Sequence, residues 1–119
     1  AEVKVLPTAR ARFFLEKEEP MPADVPVVSD EDEWMAWERL GDGVMHVELR
    51  RWADVFVIAP LSANTLAKLA NGLCDNALTC TVRAWDASQA PLVVAPAMNT
   101  LMWQHPLTEK HLVRQTCKL

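Results

Sequence analysis

The feature that most constrains this chain is an apolar run, Val55 to Leu61, that passes straight into Ser62-Ala63-Asn64-Thr65. A nearly unbroken apolar run of that length suits a central strand of a parallel sheet, buried on both faces. The small polar residues behind it start a helix, with Ser62 as N-cap and Gly72 near the C-cap. Leu66, Leu69, Ala70 and Leu73 then recur at helical spacing. A second run, Pro91 to Ala97, also ends in small polar residues and leads to Asn99. Between them, Asp75 to Trp85 reads as a helix capped by Asp75. A last helix begins at Pro106.

Upstream, the prolines between Glu18 and Pro26 mark a loop. Pro26 to Asp30 is a short β-branched run. Asp30 to Leu40 reads as a helix capped by Asp30, with Trp34, Trp37 and Leu40 on one face. Gly41 to Gly43 ends it. Val44 to Leu49 is ambiguous, and His46 is expected just before a strand. The order is β-α-β-α-loop-β-α-α-β-α. It predicts an α/β fold, a doubly wound, Rossmann-like or flavodoxin-like parallel sheet with helices on both faces. Residues 1–119 read as one domain. Ligands in such sheets bind beyond the carboxyl ends of the strands, where Ser62 and Asn99 lie.

Composition narrows the function classes. The net charge of -4 gives no electrostatic reason to expect nucleic-acid binding. No apolar run approaches the about 20 residues of a membrane span, and no signal-peptide pattern opens the chain. Cys74, Cys80 and Cys117 make an odd count, which predicts reduced thiols and a cytoplasmic protein. Cys74 and Cys80 read as small apolar helix residues. His46, His105 and His111 have no metal-ligand spacing, so no metal is expected. The tryptophans suit core or subunit contacts. The acidic run Asp30 to Glu33 is explained by its place at a helix N-terminus. No GxGxxG, P-loop or GxSxG sequence occurs.

Taken singly, the candidate site residues have plain structural readings. Ser62 is an ordinary N-cap, Asn99 caps a short helix, His46 is a satisfied histidine near a sheet, and Arg50 and Arg51 are a solvated helix start. Each also has a chemical reading. A helix N-terminus behind Ser62 suits a flat or anionic ligand. Asn99 can grip a carboxylate or an amide edge. His46 can move a proton near neutral pH.

Three segments together go further: His46 to Asn76, Thr79 to Asp86, and Pro91 to Pro106 with its Pro96-Ala97-Met98-Asn99-Thr100-Leu101-Met102-Trp103 motif. They resemble the phosphopantothenoylcysteine decarboxylase family, which includes plant halotolerance flavoproteins. The resemblance implies FMN as cofactor. It implies decarboxylation of 4'-phosphopantothenoylcysteine to 4'-phosphopantetheine in coenzyme A biosynthesis, without net redox change. By the same resemblance His46 matches the catalytic histidine. Asn99 matches the residue that holds the substrate carboxylate, and Arg51 a substrate-binding arginine. Ser62, Ala63, Asn64, Thr65, Ala97 and Thr8 match FMN contacts. A homotrimer with FMN at the subunit interface is also implied. The family's first strand with its phosphate-binding loop, and its late Cys-Gly-acidic segment, have no counterpart here, and Cys117 does not match the latter. Two further readings are a regulatory subunit of a protein phosphatase, a role of some fungal relatives, and an inactive fragment.

Overall fold

A computed structural model describes residues 1–18, 20–36 and 38–115, and residue 116 as backbone. The expectations for Trp37 and Cys117 lie outside these residues.

Two parallel strands organise the chain. Strand β1 (Phe56–Leu61) pairs with β2 (Leu92–Pro96) in the register Phe56 to Leu92, Val57 to Val93 and Ile58 to Val94. The ladder shifts between Ile58 and Leu61, where Leu61 comes opposite Pro96. The Ala59–Pro60 peptide bond is cis. An isolated parallel bridge joins Val5 and Val27, the latter in the β-branched run Pro26 to Asp30.

Helix α1 (Ala9–Leu15) lies between these bridge residues, and α2 (Asp30–Met35) and α3 (Met45–Trp52) follow them. The right-handed logic of a parallel sheet requires a crossover between β1 and β2. Helices α4 (Ala63–Asn71) and α5 (Ala77–Ala84) supply it. Helices α6 (Thr100–Gln104) and α7 (Pro106–Thr116) complete the chain after β2. Helix α3 packs on α5, and α7 on α4.

Leu61, Leu66 and Ala70 are fully covered, and Ile58, Leu69 and Leu78 nearly so. Helix α4 contributes Leu66, Leu69 and Ala70 from one face, as their spacing predicts. Gly72 closes it at φ 72°, a left-handed conformation that suits glycine. Leu73, expected on the same face, follows this cap and is exposed.

Several local readings need correction. Val44 to Leu49 is not a strand approach. Val44 is the N-cap of α3 and Met45 to Leu49 its first residues, so His46 sits in the first turn of a helix and Arg50 and Arg51 in its last. Arginines there face the negative end of the helix dipole, which favours them. Helix α2 is capped by Ser29 rather than Asp30, and α5 by Asn76 rather than Asp75. Strand β1 is not covered on both faces. Val57 and Val93, paired in register, remain about half exposed. Trp34 and Leu40 are exposed instead of forming a buried face. Among the tryptophans, Trp85 has the clearest packing role. Its ring lies 5.2 Å from Phe56, and its indole N–H donates to the Ala90 carbonyl at 2.9 Å. Among the described residues, no helix is long and apolar enough to cross a membrane.

Leu66 is 1% exposed at the centre of this core, so truncation leaves a cavity that its neighbours fill only in part. Leu66→Ala is expected to lower unfolding free energy by about 2–5 kcal/mol in urea titrations. A second expectation concerns α2. The Ser29 backbone N–H and hydroxyl both donate to the Asp32 carboxylate, at 2.7 and 2.8 Å, and hold its pKa below the ordinary 3.8. A depressed carboxylate stabilises the fold fully above its ordinary pKa, and this is lost as pH falls through the lowered folded value. Protection of the Ser29 amide, taken relative to its intrinsic exchange rate at each pH, should therefore fall at acidic pH below 3.8, and Asp32→Asn should remove that pH step.

Candidate functional site

The site is built where the two strands end. At their exits the Ala97 N–H donates to the Leu61 carbonyl at 3.0 Å. Ser62 follows Leu61 directly, and Asn99 lies two residues beyond Ala97, so one hydrogen bond sets two helix starts beside each other. Ser62 Oγ accepts the Thr65 N–H at 3.2 Å and caps α4. Asn99 Oδ1 accepts the Met102 N–H at 2.9 Å and caps α6. The structural readings of both residues hold, and they leave the chemical ones open.

Small side chains keep this corner accessible. Ala63 and Thr65 are half-buried, while Ser62, Asn64, Ala97 and Asn99 are exposed. A cavity of about 500 Å³ opens between the start of α4 and helices α6 and α7. Ala63, Asn64 and Leu66 line one side, and Met102, Thr108 and His111 the other. Thr108 is held by its hydroxyl, which donates to the Met102 carbonyl at 2.6 Å. His105 is exposed, as expected, but His111 is half-buried on the cavity wall. A second cleft, about 250 Å³, lies apart from these residues between α1 and α2.

Of the expected site residues, Ala63 and Asn64 line this cavity, Ser62, Thr65, Ala97 and Asn99 lie at the strand exits outside its lining, and the others stand elsewhere. Thr8 caps α1, its hydroxyl accepting the Ala11 N–H at 3.2 Å. Arg51 makes an exposed ion pair with Glu48 at 3.2 Å, a contact of small energy that a ligand can displace. His46 does not line the cavity. Its Nδ1 contacts the Glu33 carboxylate. Cys80 joins them, and one ligand atom from each of Glu33, His46 and Cys80 lies within 4.8 Å of the others. The Cys80 thiol is pushed up in pKa, first by burial and then by the Glu33 charge. It is half-buried in α5, whereas Cys74 is exposed in the loop before it. That corrects the expectation that both are apolar helix residues. Glu33 and Cys80 were not singled out from the sequence as site residues. No sequence spacing signals their meeting with His46, because the three sit on separate helices.

The chain matches the flavoprotein family over residues 1–116. A probable phosphopantothenoylcysteine decarboxylase of Arabidopsis thaliana is 62% identical over 113 residues, covering 95% of this chain and 55% of that protein. Among solved structures, a PPC decarboxylase mutant complexed with pantothenoylaminoethenethiol superposes with a TM-score of 0.91 at 59% identity. That match covers 98% of this chain and 63% of the other. The FMN binding protein AtHal3 gives 0.88 at 60% identity, covering 95% and 60%. The chain thus spans about half the length of the curated relatives it matches. These likenesses agree with the α/β parallel-sheet fold read from the strand and helix order. On the match across nearly its whole length, this chain belongs to the flavoprotein family.

Proposed function

We propose that this chain carries the FMN and substrate site of a phosphopantothenoylcysteine decarboxylase, acting in coenzyme A biosynthesis in the cytoplasm. The carrying observation is the state of Asn99. Its Oδ1 is already engaged by the Met102 N–H, so its amide N–H groups are what it offers a ligand. Two neutral donors at an exposed strand exit match a substrate carboxylate that is to leave as CO2. Neutral donors hold the carboxylate without over-stabilising its charge, which must disappear in the transition state.

The same corner fits a flavin mononucleotide. Ala63 and Ala97 leave room for a flat ring, and the first turn of α4 presents backbone N–H groups and the positive end of the helix dipole. Ser62, Asn64 and Thr65 supply hydroxyl and amide partners there, and Thr8 a further hydroxyl. The chemistry a bound FMN supplies is reversible two-electron transfer, which makes loss of CO2 easy and is reversed afterwards. In this reading His46 moves the proton and Arg51 leaves Glu48 to bind the substrate.

A homotrimer with the flavin between subunits belongs to the same reading. It is supported by apolar side chains that a lone subunit leaves in water. Trp34, Leu40 and Leu101 are each at least 80% exposed, and Trp103 at the end of the Asn99 motif is about half exposed.

With FMN and 4'-phosphopantothenoylcysteine, the protein is expected to release CO2 and form 4'-phosphopantetheine, followed by mass spectrometry. Asn99→Asp keeps an excellent N-cap for α6 but sets a negative charge against the carboxylate. It should preserve Tm and lower kcat/KM roughly 100-fold or more. Unchanged turnover in that variant would remove Asn99 from the substrate site. A monomer in sedimentation of the flavin-loaded protein would end the trimer reading.

A further inference from the structure

Helix α2 has its burial reversed. Trp34 and Met35 are 82% and 78% exposed, yet the side chain of Glu33 beside them is only 17% exposed. Covering a carboxylate is unfavourable unless a partner compensates. The partner is His46, whose side chain is 27% exposed and whose Nδ1 meets Glu33 Oε1.

The placement of Glu33 is built rather than incidental. Asp30 Oδ1 accepts the N–H of Ala77, the first residue of α5, at 2.7 Å. Three residues on in each helix, Glu33 and Cys80 come together. The contacts therefore advance one turn along α2 and α5 in step, and Asp30 sets the height of Glu33 over α3. The reciprocal bonds of Ser29 and Asp32 hold the start of α2. Cys80 does not compete for the carboxylate. Burial keeps its thiol protonated, and Sγ donates to the Cys74 carbonyl at 3.5 Å.

We propose that Glu33 is a positioning residue for His46, its carboxylate accepting the Nδ1 proton so that the neutral ring keeps Nε2 free as the proton-accepting atom. The bond made by one ring nitrogen decides which state the other takes. A carboxylate behind a histidine also fixes the orientation of the ring. This inference rests on the reading of His46 as the histidine that moves the substrate's proton.

The test is the two-bond ¹H–¹⁵N spectrum of the His46 ring in the FMN-loaded protein, assigned by its loss in His46→Gln. The neutral ring of the unaltered protein should show Nδ1 protonated and Nε2 bare. In Glu33→Gln, whose amide can donate as well as accept, the Nε2–H form should appear. There kcat should fall about 10- to 100-fold with KM little changed, and Glu33→Asp should restore part of the loss. An Nε2–H ring in the unaltered protein overturns the proposal, whether or not Glu33→Gln folds. So does a Glu33→Gln variant with lowered Tm but full kcat, which would make the pair only a staple between α2 and α3. Stoichiometric Zn²⁺ binding that shifts both ring nitrogens and is abolished by Cys80→Ser would make the cluster a metal site and also overturn it. If the unaltered protein shows the expected ring but no decarboxylation, the reading of the reaction fails while the placement of the ring stands.

Discussion

The parallel pairing of β1 and β2 is the constraint on which the rest depends. Its last hydrogen bond, from the Ala97 N–H to the Leu61 carbonyl, joins the two strand exits. Leu61 is fully buried at that point, so the exit of β1 is anchored in the core while the next residue, Ser62, is exposed. A slip of β2 by one residue in this register would turn Val93 inward and Val94 outward while β1 kept Ile58 in the core. Part of the core under α4 would be lost together with the adjacency of Ser62 and Asn99. Stability and site geometry are therefore consequences of one register.

The polar residues at this corner are in use before any ligand arrives. Ser62 and Asn99 each satisfy a helix N–H, which orients their side chains and limits what remains to be offered. Ser62 Oγ also donates to Thr65 Oγ1 at 3.2 Å. A capped side chain has already lost its rotamer freedom, so binding a ligand costs less ordering. Preorganisation here comes from secondary structure, and needs no separate network.

This explains which features could be read from sequence. The strands, the α4 helix and its Ser62 and Gly72 ends were legible because apolar period, cap and breaker agree there. Helix α3 was not. Val44 at its N-cap makes no side-chain cap bond, and a short segment with valines at 44 and 47 suits a strand equally well. The sequence offers Asp30 and Asp75 as caps because Asp caps well, but each stands beside an equally good residue. Ser29 and Asn76 take the local role, which releases Asp30 to bind Ala77 and Asp75 to bind Lys68 at 2.5 Å. Tertiary contacts made that choice. Dipole compensation accounts for the acidic run at the start of α2 in sequence terms but leaves out Glu33, because its partner lies 13 residues away on another helix.

Burial on α2 shows why such a residue escapes pattern reading. Leaving Trp34 and Met35 in water forgoes about 1.5–3 kcal/mol for a side chain of Met size. Covering Glu33 adds a desolvation cost that the His46 contact has to offset. A helix arranged only to stabilise this single chain would turn over, placing its apolar side chains on α3 and α5 and its carboxylates in solvent. Its actual orientation is held by the Asp30 bond to α5 and the Glu33 bond to α3, with a more exposed ion pair from Glu31 to Arg12 of α1 beside them. Apolar contact is non-directional, whereas a carboxylate paired with one ring nitrogen fixes both distance and angle. The orientation of α2 thus follows from the geometry of His46, and the exposed Trp34 and Met35 follow from the orientation of α2.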